Sequence, residues 1–277
     1  MRRLSSLCVR VLFFALAFAL LEVWHIGLLS SHVVLDLVSS LAGGVLIGGL
    51  LVWMSGKMQL RRFDYFILIS LILFVVGRFS NYVEGLFFTT IFANLSVLAA
   101  GVVLSLFLSF VEGGLAAVLF LPESHEGSLF AELSTYFSER RWSSWLWRIL
   151  LASAAYFPIY FFFGMLISPF VMPYYSDPSL GLKIPSFAVM VPVELFRAFL
   201  YVIIMLAVFS TVRAKRWTIA ALVGLILYVP GGLVPLMSEH TLPPQIVPFH
   251  MIEIFADSIV YGIVLTRLLN RVSRVGK

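Results

Sequence analysis

Apolar stretches of about 20 residues, separated by short polar interruptions, recur from one end of the chain to the other. Windows of that length mark eight helices, over 4–28, 34–55, 64–86, 91–121, 145–171, 187–211, 217–236 and 247–269. An α-helix needs about 20 apolar residues to cross the hydrocarbon core of a bilayer. It also satisfies its own backbone there, which an isolated strand or loop does not. The pattern therefore predicts an all-α fold: a polytopic integral membrane protein, a bundle of eight transmembrane helices in one domain over 1–277. The run from Leu4 to Leu29 follows Met1-Arg2-Arg3 but exceeds the apolar core of a signal peptide and lacks a small-x-small cleavage site, so it reads as a retained first helix.

Composition agrees with that reading. Of 277 residues 61% are hydrophobic and 12% charged, against about a quarter charged in ordinary soluble proteins. A disordered chain and a typical soluble enzyme are both excluded. Cys8 is the only cysteine, so neither an internal disulfide nor a cysteine-rich cofactor site can form.

Charge placement predicts an orientation. Assigned alternately to the two sides, the connections gather sixteen of the 19 basic residues on one side, in groups at Arg2–Arg10, Lys57–Arg62, Arg140–Arg148, Arg213–Arg216 and Arg267–Lys277. Only Arg78, Lys183 and Arg197 fall in the opposite half. By the positive-inside tendency both termini are cytoplasmic and the membrane is the cell, or inner, membrane. Eight acids, Glu22, Asp36, Glu84, Asp177, Glu194, Glu239, Glu253 and Asp257, lie in the outer half, leaving it at −5. Insertion does not demand that bias, because carboxylates contribute little to topology.

The connections carry further expectations. Pro122 to Ser144, ending near Trp142, Trp145 and Trp147, reads as a short amphipathic helix at the cytoplasmic interface. Pro169 to Pro185 holds too many helix breakers for a helix interior and reads as an outer loop, and Pro230 to Pro248, with Glu239 and His240, as a second. Gly44 and Gly48 predict one close helix contact. The fourth span, about 30 residues from Asn94 and Ser96 inward, predicts a steep tilt or a broken first turn.

Ionisable side chains inside a bilayer default to pairing or function. Three groups qualify: Glu194 and Arg197 on one face of the sixth span; His250, Glu253 and Asp257 on one stripe of the eighth; and Arg78, Asn81 and Glu84 at the outer end of the third. At ~1.5 Å per residue Glu194 lies about 10 Å deep and Asp257 about 15 Å. A polar cavity between spans three, six and eight, roofed by the two proline-rich loops, is the expected site. Glu194, His250, Glu253 and Asp257 form an acceptable donor set for a divalent metal ion. Such an ion would polarise a carbonyl or phosphoryl group while Arg197 or Arg78 held the developing charge. Glu22 with His25 reads as a hydrated interface pair, and Glu112 as a helix–helix hydrogen bond.

Val193-Glu194-Leu195-Phe196-Arg197-Ala198-Phe199 resembles the Glu-Glu-x-x-x-Arg motif of the CAAX-processing membrane endopeptidases, an eight-helix family of intramembrane hydrolases, with His250 standing for one of that family's catalytic histidines. The likeness covers fewer than ten residues. Val193 replaces the first glutamate, Glu194 lies three rather than four residues before Arg197, and the Phe-x-x-x-His and His-x-x-x-Asn pair is missing. The activity is therefore not carried over.

Three functional readings stay open. One is a membrane-embedded enzyme, such as a metal-dependent hydrolase, acting on a lipid or membrane peptide from a cavity open to the extracytoplasmic side. Another is a proton- or cation-coupled transporter of small molecules, and the third a non-catalytic membrane protein whose buried ion pairs fix helix register. The lipid bilayer is the expected partner. Nucleic acid is not, because the basic residues are spread as short flanks rather than gathered into a patch.

Overall fold

The computed structural model describes residues 2–26, 33–90, 92, 94–122, 126–238 and 242–271, and the side chains from residue 6 onward. Outside that set fall Glu123, His32, Glu239, His240, Arg274 and Lys277, with the side chains of Arg2 and Arg3. The described chain is helical throughout, with two isolated bridges, Met58 with Val212 and Thr89 with Leu182, and no strand. The long helices are α1 (Arg2–Ile26), α2 (Val33–Ser55), α3 (Arg62–Phe88) and α4 (Leu95–Leu119). A short α5 (Leu129–Ser138) precedes α6 (Trp142–Tyr175), α7 (Phe187–Thr211), α8 (Arg216–Ser238) and α9 (Val247–Leu269).

Seven of these, α1 to α4 and α6 to α8, are long and apolar enough to cross a membrane. That is the composition of a multi-pass membrane bundle. The remaining long helix, α9, has 23 residues and carries His250, Glu253, Asp257 and Arg267. Helices α1 and α2 pack as a pair, α3 lies on α4, and α9 is flanked by α6 and α8. Helices α7 and α8 are the most enclosed, whereas α6 turns most of its surface outward.

Glycine sets the closest of these contacts. A Cβ at Gly44 would sit 2.7 Å from the Ala15 Cα, so α1 and α2 approach to backbone contact there, at the pair the sequence singles out. Gly224 and Gly262 do the same for α8 and α9, a Cβ on Gly262 meeting the Gly224 amide at 2.7 Å.

Several boundaries differ from the sequence expectation. The fourth span is 25 residues rather than about 30, because the Asn94 side chain accepts from the Ser96 and Val97 amides, at 3.0 and 3.4 Å, and starts the helix at Leu95. Residues 169–175 belong to α6 and not to a loop: the helix runs through Pro158, Pro169 and Pro173. Membrane helices tolerate proline because neighbouring groups re-satisfy the freed carbonyls. Likewise Pro230-Gly231-Gly232 opens no loop but forms a π-helical segment, Val229–Leu233, inside α8. A second π-helical segment, Ile72–Phe79, lies within α3, and the two pack together where Gly77 nears the Pro230 carbonyl.

The connection between α6 and α7 is short and tied down. Asp177 caps a 3₁₀ turn, Pro178–Leu180, through the Ser179 hydroxyl and amide, and those hydrogen bonds hold its carboxyl below the usual range. Gly181 follows at φ 65°, and the Thr90 amide then donates to its carbonyl at 2.8 Å. At the opposite end, α5 is not a free interfacial helix. Tyr136 and Arg140 donate to the Leu269 and Asn270 carbonyls, Arg148 to Leu268, and Arg271 and Arg213 pair with Glu132. Cations and donors thus cap the C-terminal end of α9, where the helix dipole favours them. Trp145 is buried in the first turn of α6, while Trp142 and Trp147 stay exposed at the level expected of interface anchors.

Gly44 and Gly49 make a matched test of the α1–α2 contact, since a Cβ at Gly49 meets nothing within 4 Å. Gly44→Ala is expected to cost about 1–3 kcal/mol through overpacking against Ala15. Gly49→Ala should be neutral or slightly stabilising. Thermal denaturation of the two purified variants in detergent checks this, and equal melting temperatures would remove the close contact.

Candidate functional site

Glu194 and Arg197 sit three apart on the buried side of α7, so both side chains project over the same turn. Arg197 Nη1 donates to both Glu194 oxygens, at 2.8 and 3.0 Å. Its Nη2 pairs with Glu84 of α3 at 2.6 Å and reaches the Tyr201 hydroxyl, one turn along α7, at 3.3 Å. Glu194 is 0% exposed. One guanidinium therefore carries two carboxylates from two helices, and its Nε stays buried with no partner.

Across from this pair, α9 presents His250 and Glu253, again three apart. His250 Nδ1 lies 2.9 Å from Glu253 Oε2; with Glu253 ionised, Nδ1 carries the proton and donates. His250 Nε2 is then the acceptor nitrogen, and it is buried without a hydrogen-bond partner. Gly164 of α6 makes room for Glu253, since a Cβ there would lie 3.1 Å from Oε1. Asp257, one further turn on, is 3% exposed and accepts from Ser258 Oγ at 3.2 Å.

Two cavities meet these groups. One of about 160 Å³ is bordered by Glu84, Tyr156, Tyr160, Arg197, His250 and Asp257, with Leu182 and Leu242 from the connections before α7 and α9. The other, about 230 Å³, shares Glu84, Tyr160, Tyr175 and His250 and adds Glu253. Its outer edge is made by Met165, Met172 and Ile184, all exposed on the bundle surface. The site thus faces the surroundings of α6 as well as the end of the bundle.

Of the eight residues the sequence nominated, the structure brings six together: Glu84, Glu194, Arg197, His250, Glu253 and Asp257. Asn81 borders the smaller cavity and donates to the Gly77 carbonyl at 2.9 Å. Arg78 is elsewhere. It pairs with Glu22 of α1 and with Glu112 of α4, at 2.6 and 2.9 Å to the latter, and donates to Ser109. Glu84 therefore answers Arg197 and not Arg78; Glu22 is an ion-pair partner of Arg78 rather than a hydrated end, and Glu112 makes the helix–helix hydrogen bond the sequence suggested, with Arg78 as its donor. The tyrosines went unread. Tyr156 and Tyr160 stand four apart on α6 and border the smaller cavity, and Tyr201, four from Arg197, places its hydroxyl beside that guanidinium.

The proposed metal donors are each engaged with a protein partner: Glu194 with Arg197, His250 with Glu253, and Asp257 with Ser258. Among the described residues no three His, Cys, Asp or Glu side chains converge as ligands to an ion. The arrangement instead holds four carboxylates against one arginine and one histidine. Comparison with family models, curated proteins and solved structures gave no match to this chain, so function rests on the site alone.

Removing one partner from a buried ion pair strands the other charge at a cost of about 3–5 kcal/mol. Arg197→Met is expected to destabilise by that order, and adding Glu194→Gln to it should recover part of the loss. Denaturation of both single variants and the double variant measures the coupling; strictly additive losses would mean that the two side chains do not interact.

Proposed function

We propose that the protein is a membrane-embedded hydrolase that cleaves an ester or amide of a lipid or membrane peptide entering beside α6. The observation that carries this reading is His250, a residue that borders both cavities: one ring nitrogen is oriented by a carboxylate and the other is buried without a partner. A base so placed accepts a proton from water at Nε2 as that water attacks the carbonyl or phosphoryl centre. Glu253 holds the tautomer and offsets the charge of the imidazolium. The same proton then passes from Nε2 to the leaving oxygen or nitrogen, which restores the neutral ring. Arg197 has both terminal nitrogens engaged by Glu194, Glu84 and Tyr201, and its unpartnered Nε is the donor left for the negative charge that develops on the substrate oxygen. The exposed Met165, Met172 and Ile184 give an apolar substrate a route from the lipid.

In a metal-assisted version of this chemistry, drawing on Glu194, His250, Glu253 or Asp257, His250 Nε2 is free to ligate, whereas Glu194 would have to exchange Arg197 for the ion. A second reading draws on the surplus of carboxylates: Glu84, Glu194, Glu253 and Asp257 exceed the cations beside them, as proton- or cation-coupled transport would require. In either reading α9 is the eighth crossing, both termini are cytoplasmic, and the protein resides in the cell membrane. The basic groups at Lys57–Arg62, Arg140–Arg148 and Arg213–Arg216 support that orientation.

Two experiments test these proposals. Incubation of the full-length protein with total membrane lipid and with membrane peptides, read by mass spectrometry, should yield a cleavage product. Its rate of formation should fall about 10²-fold or more in His250→Ala and Glu253→Gln. Product formed equally fast by His250→Ala would end the hydrolase reading, and elemental analysis of the same preparation decides whether a metal takes part. For topology, a reporter fused after Lys277 should report the cytoplasm; an extracytoplasmic signal would remove the eighth crossing.

A further inference from the structure

A second, larger cavity of about 570 Å³ lies among α1, α2, α3, α4 and α8, apart from His250 and its neighbours. One side of it is polar: Glu22 and His25 of α1, Tyr82 of α3 and Ser105 of α4. The other is apolar, formed by Phe18, Ile47 and Val234 among others. Such a pocket has the size and the one-sided polarity of a small-molecule site.

The charge at its polar side specifies what fits. Arg78 has no hydrogen-bonding capacity left for a ligand at either terminal nitrogen: Nη1 serves Ser109 and Glu112, and Nη2 serves Glu112 and Glu22. An anion therefore finds no free donor there. Glu22 differs, because it binds Arg78 through Oε1 only. Its Oε2 stands 3.8 Å from His25 Nδ1, beyond hydrogen-bond reach, and the side chain keeps 15% exposure toward the cavity. Two carboxylates against one guanidinium leave the cluster one negative charge in excess when both are ionised and His25 is neutral. A single positive charge bearing hydrogen-bond donors completes it.

We propose that this cavity binds an organic amine, with its ammonium group against Glu22 and its hydrocarbon body between Phe18, Ile47 and Val234. A free hydrophobic amine and the amine headgroup of a lipid share this chemistry. Neither depends on the hydrolytic reading of the His250 site.

Adamantan-1-amine and its neutral counterpart adamantan-1-ol are the probes, titrated calorimetrically at pH 7 into the full-length protein in phosphatidylglycerol nanodiscs. The amine is expected to bind at least ~10-fold more tightly than the alcohol. Glu22→Gln should abolish that preference, and Ser238→Trp, which fills the cavity from α8 without touching the charges, should weaken both probes. Equal affinity of the wild-type protein for amine and alcohol overturns the proposal without reference to any variant. So does an amine preference that survives Glu22→Gln, or binding of both probes that is undiminished in Ser238→Trp. Repeating the titration in phosphatidylethanolamine nanodiscs identifies the source: competition there assigns the site to the lipid amine, and undiminished binding assigns it to a free one.

Discussion

A guanidinium enclosed by a bilayer has to bring its counter-charges with it. Arg78 and Arg197 both do so, with two carboxylates each. Arg197 joins Glu194 on its own helix to Glu84 on α3. Arg78 joins α3 to Glu22 of α1 and Glu112 of α4. Four helices far apart in sequence are thus fixed to one another through α3 by charge rather than by apolar packing, which between helices in lipid is weakly directional. Arg78 and Glu84 are six residues apart, about 600° around a regular helix, so they leave α3 on faces roughly 120° apart. That separation lets one helix serve two ion clusters, and it is why the two residues do not pair with each other.

The glycine and π-helical segments make this arrangement sterically possible. Gly113, beside Glu112, packs against Ser70 of α3, bringing α4 close enough for Glu112 to reach Arg78. The π segment of α3 widens the helix at Ile72–Phe79, the stretch that contains Arg78, and rests on the π segment of α8 at Pro230. A widened turn shifts the facing of every residue after it, so Asn81 and Glu84 are aimed in part by this irregularity. A Pro-Gly-Gly sequence that would end a helix in water here marks the place where two helices have exchanged regularity for contact.

The spans were legible because apolar periodicity and length are local properties, and lipid enforces them. Their ends were less so. Asn94 shortens α4 through a side-chain cap, and α6 continues past Pro169 and Pro173 into a stretch whose composition reads as a loop. Within the site, the pairs on a single helix, Glu194 with Arg197 and His250 with Glu253, followed from their three-residue spacing. Pairings between helices did not, because spacing says nothing about which helices meet. Arg78 was accordingly grouped with Glu84, its neighbour in sequence, while its partners were 56 and 34 residues away. The single cue was Glu112 followed by Gly113-Gly114, a carboxylate at a point where another helix could come close.

The same pairing accounts for a bias that insertion leaves unexplained. Glu22, Glu84, Glu253 and Asp257 border the cavities, and Glu194 holds Arg197 at the edge of one. Among the described residues, excess negative charge is therefore concentrated in two adjoining sites. Asn81 and Gly85 of α3, Thr89 just beyond it and Pro235 of α8 border both the 570 and the 160 Å³ cavities, so the two sites share a boundary. Structural ion pairing alone would be served by equal numbers of acids and bases, as a neutral pair is the least costly charge to bury. Each cluster instead carries more acid than base and adjoins open volume, which is the arrangement expected when a proton or a bound cation, and not another side chain, supplies the last of the compensation.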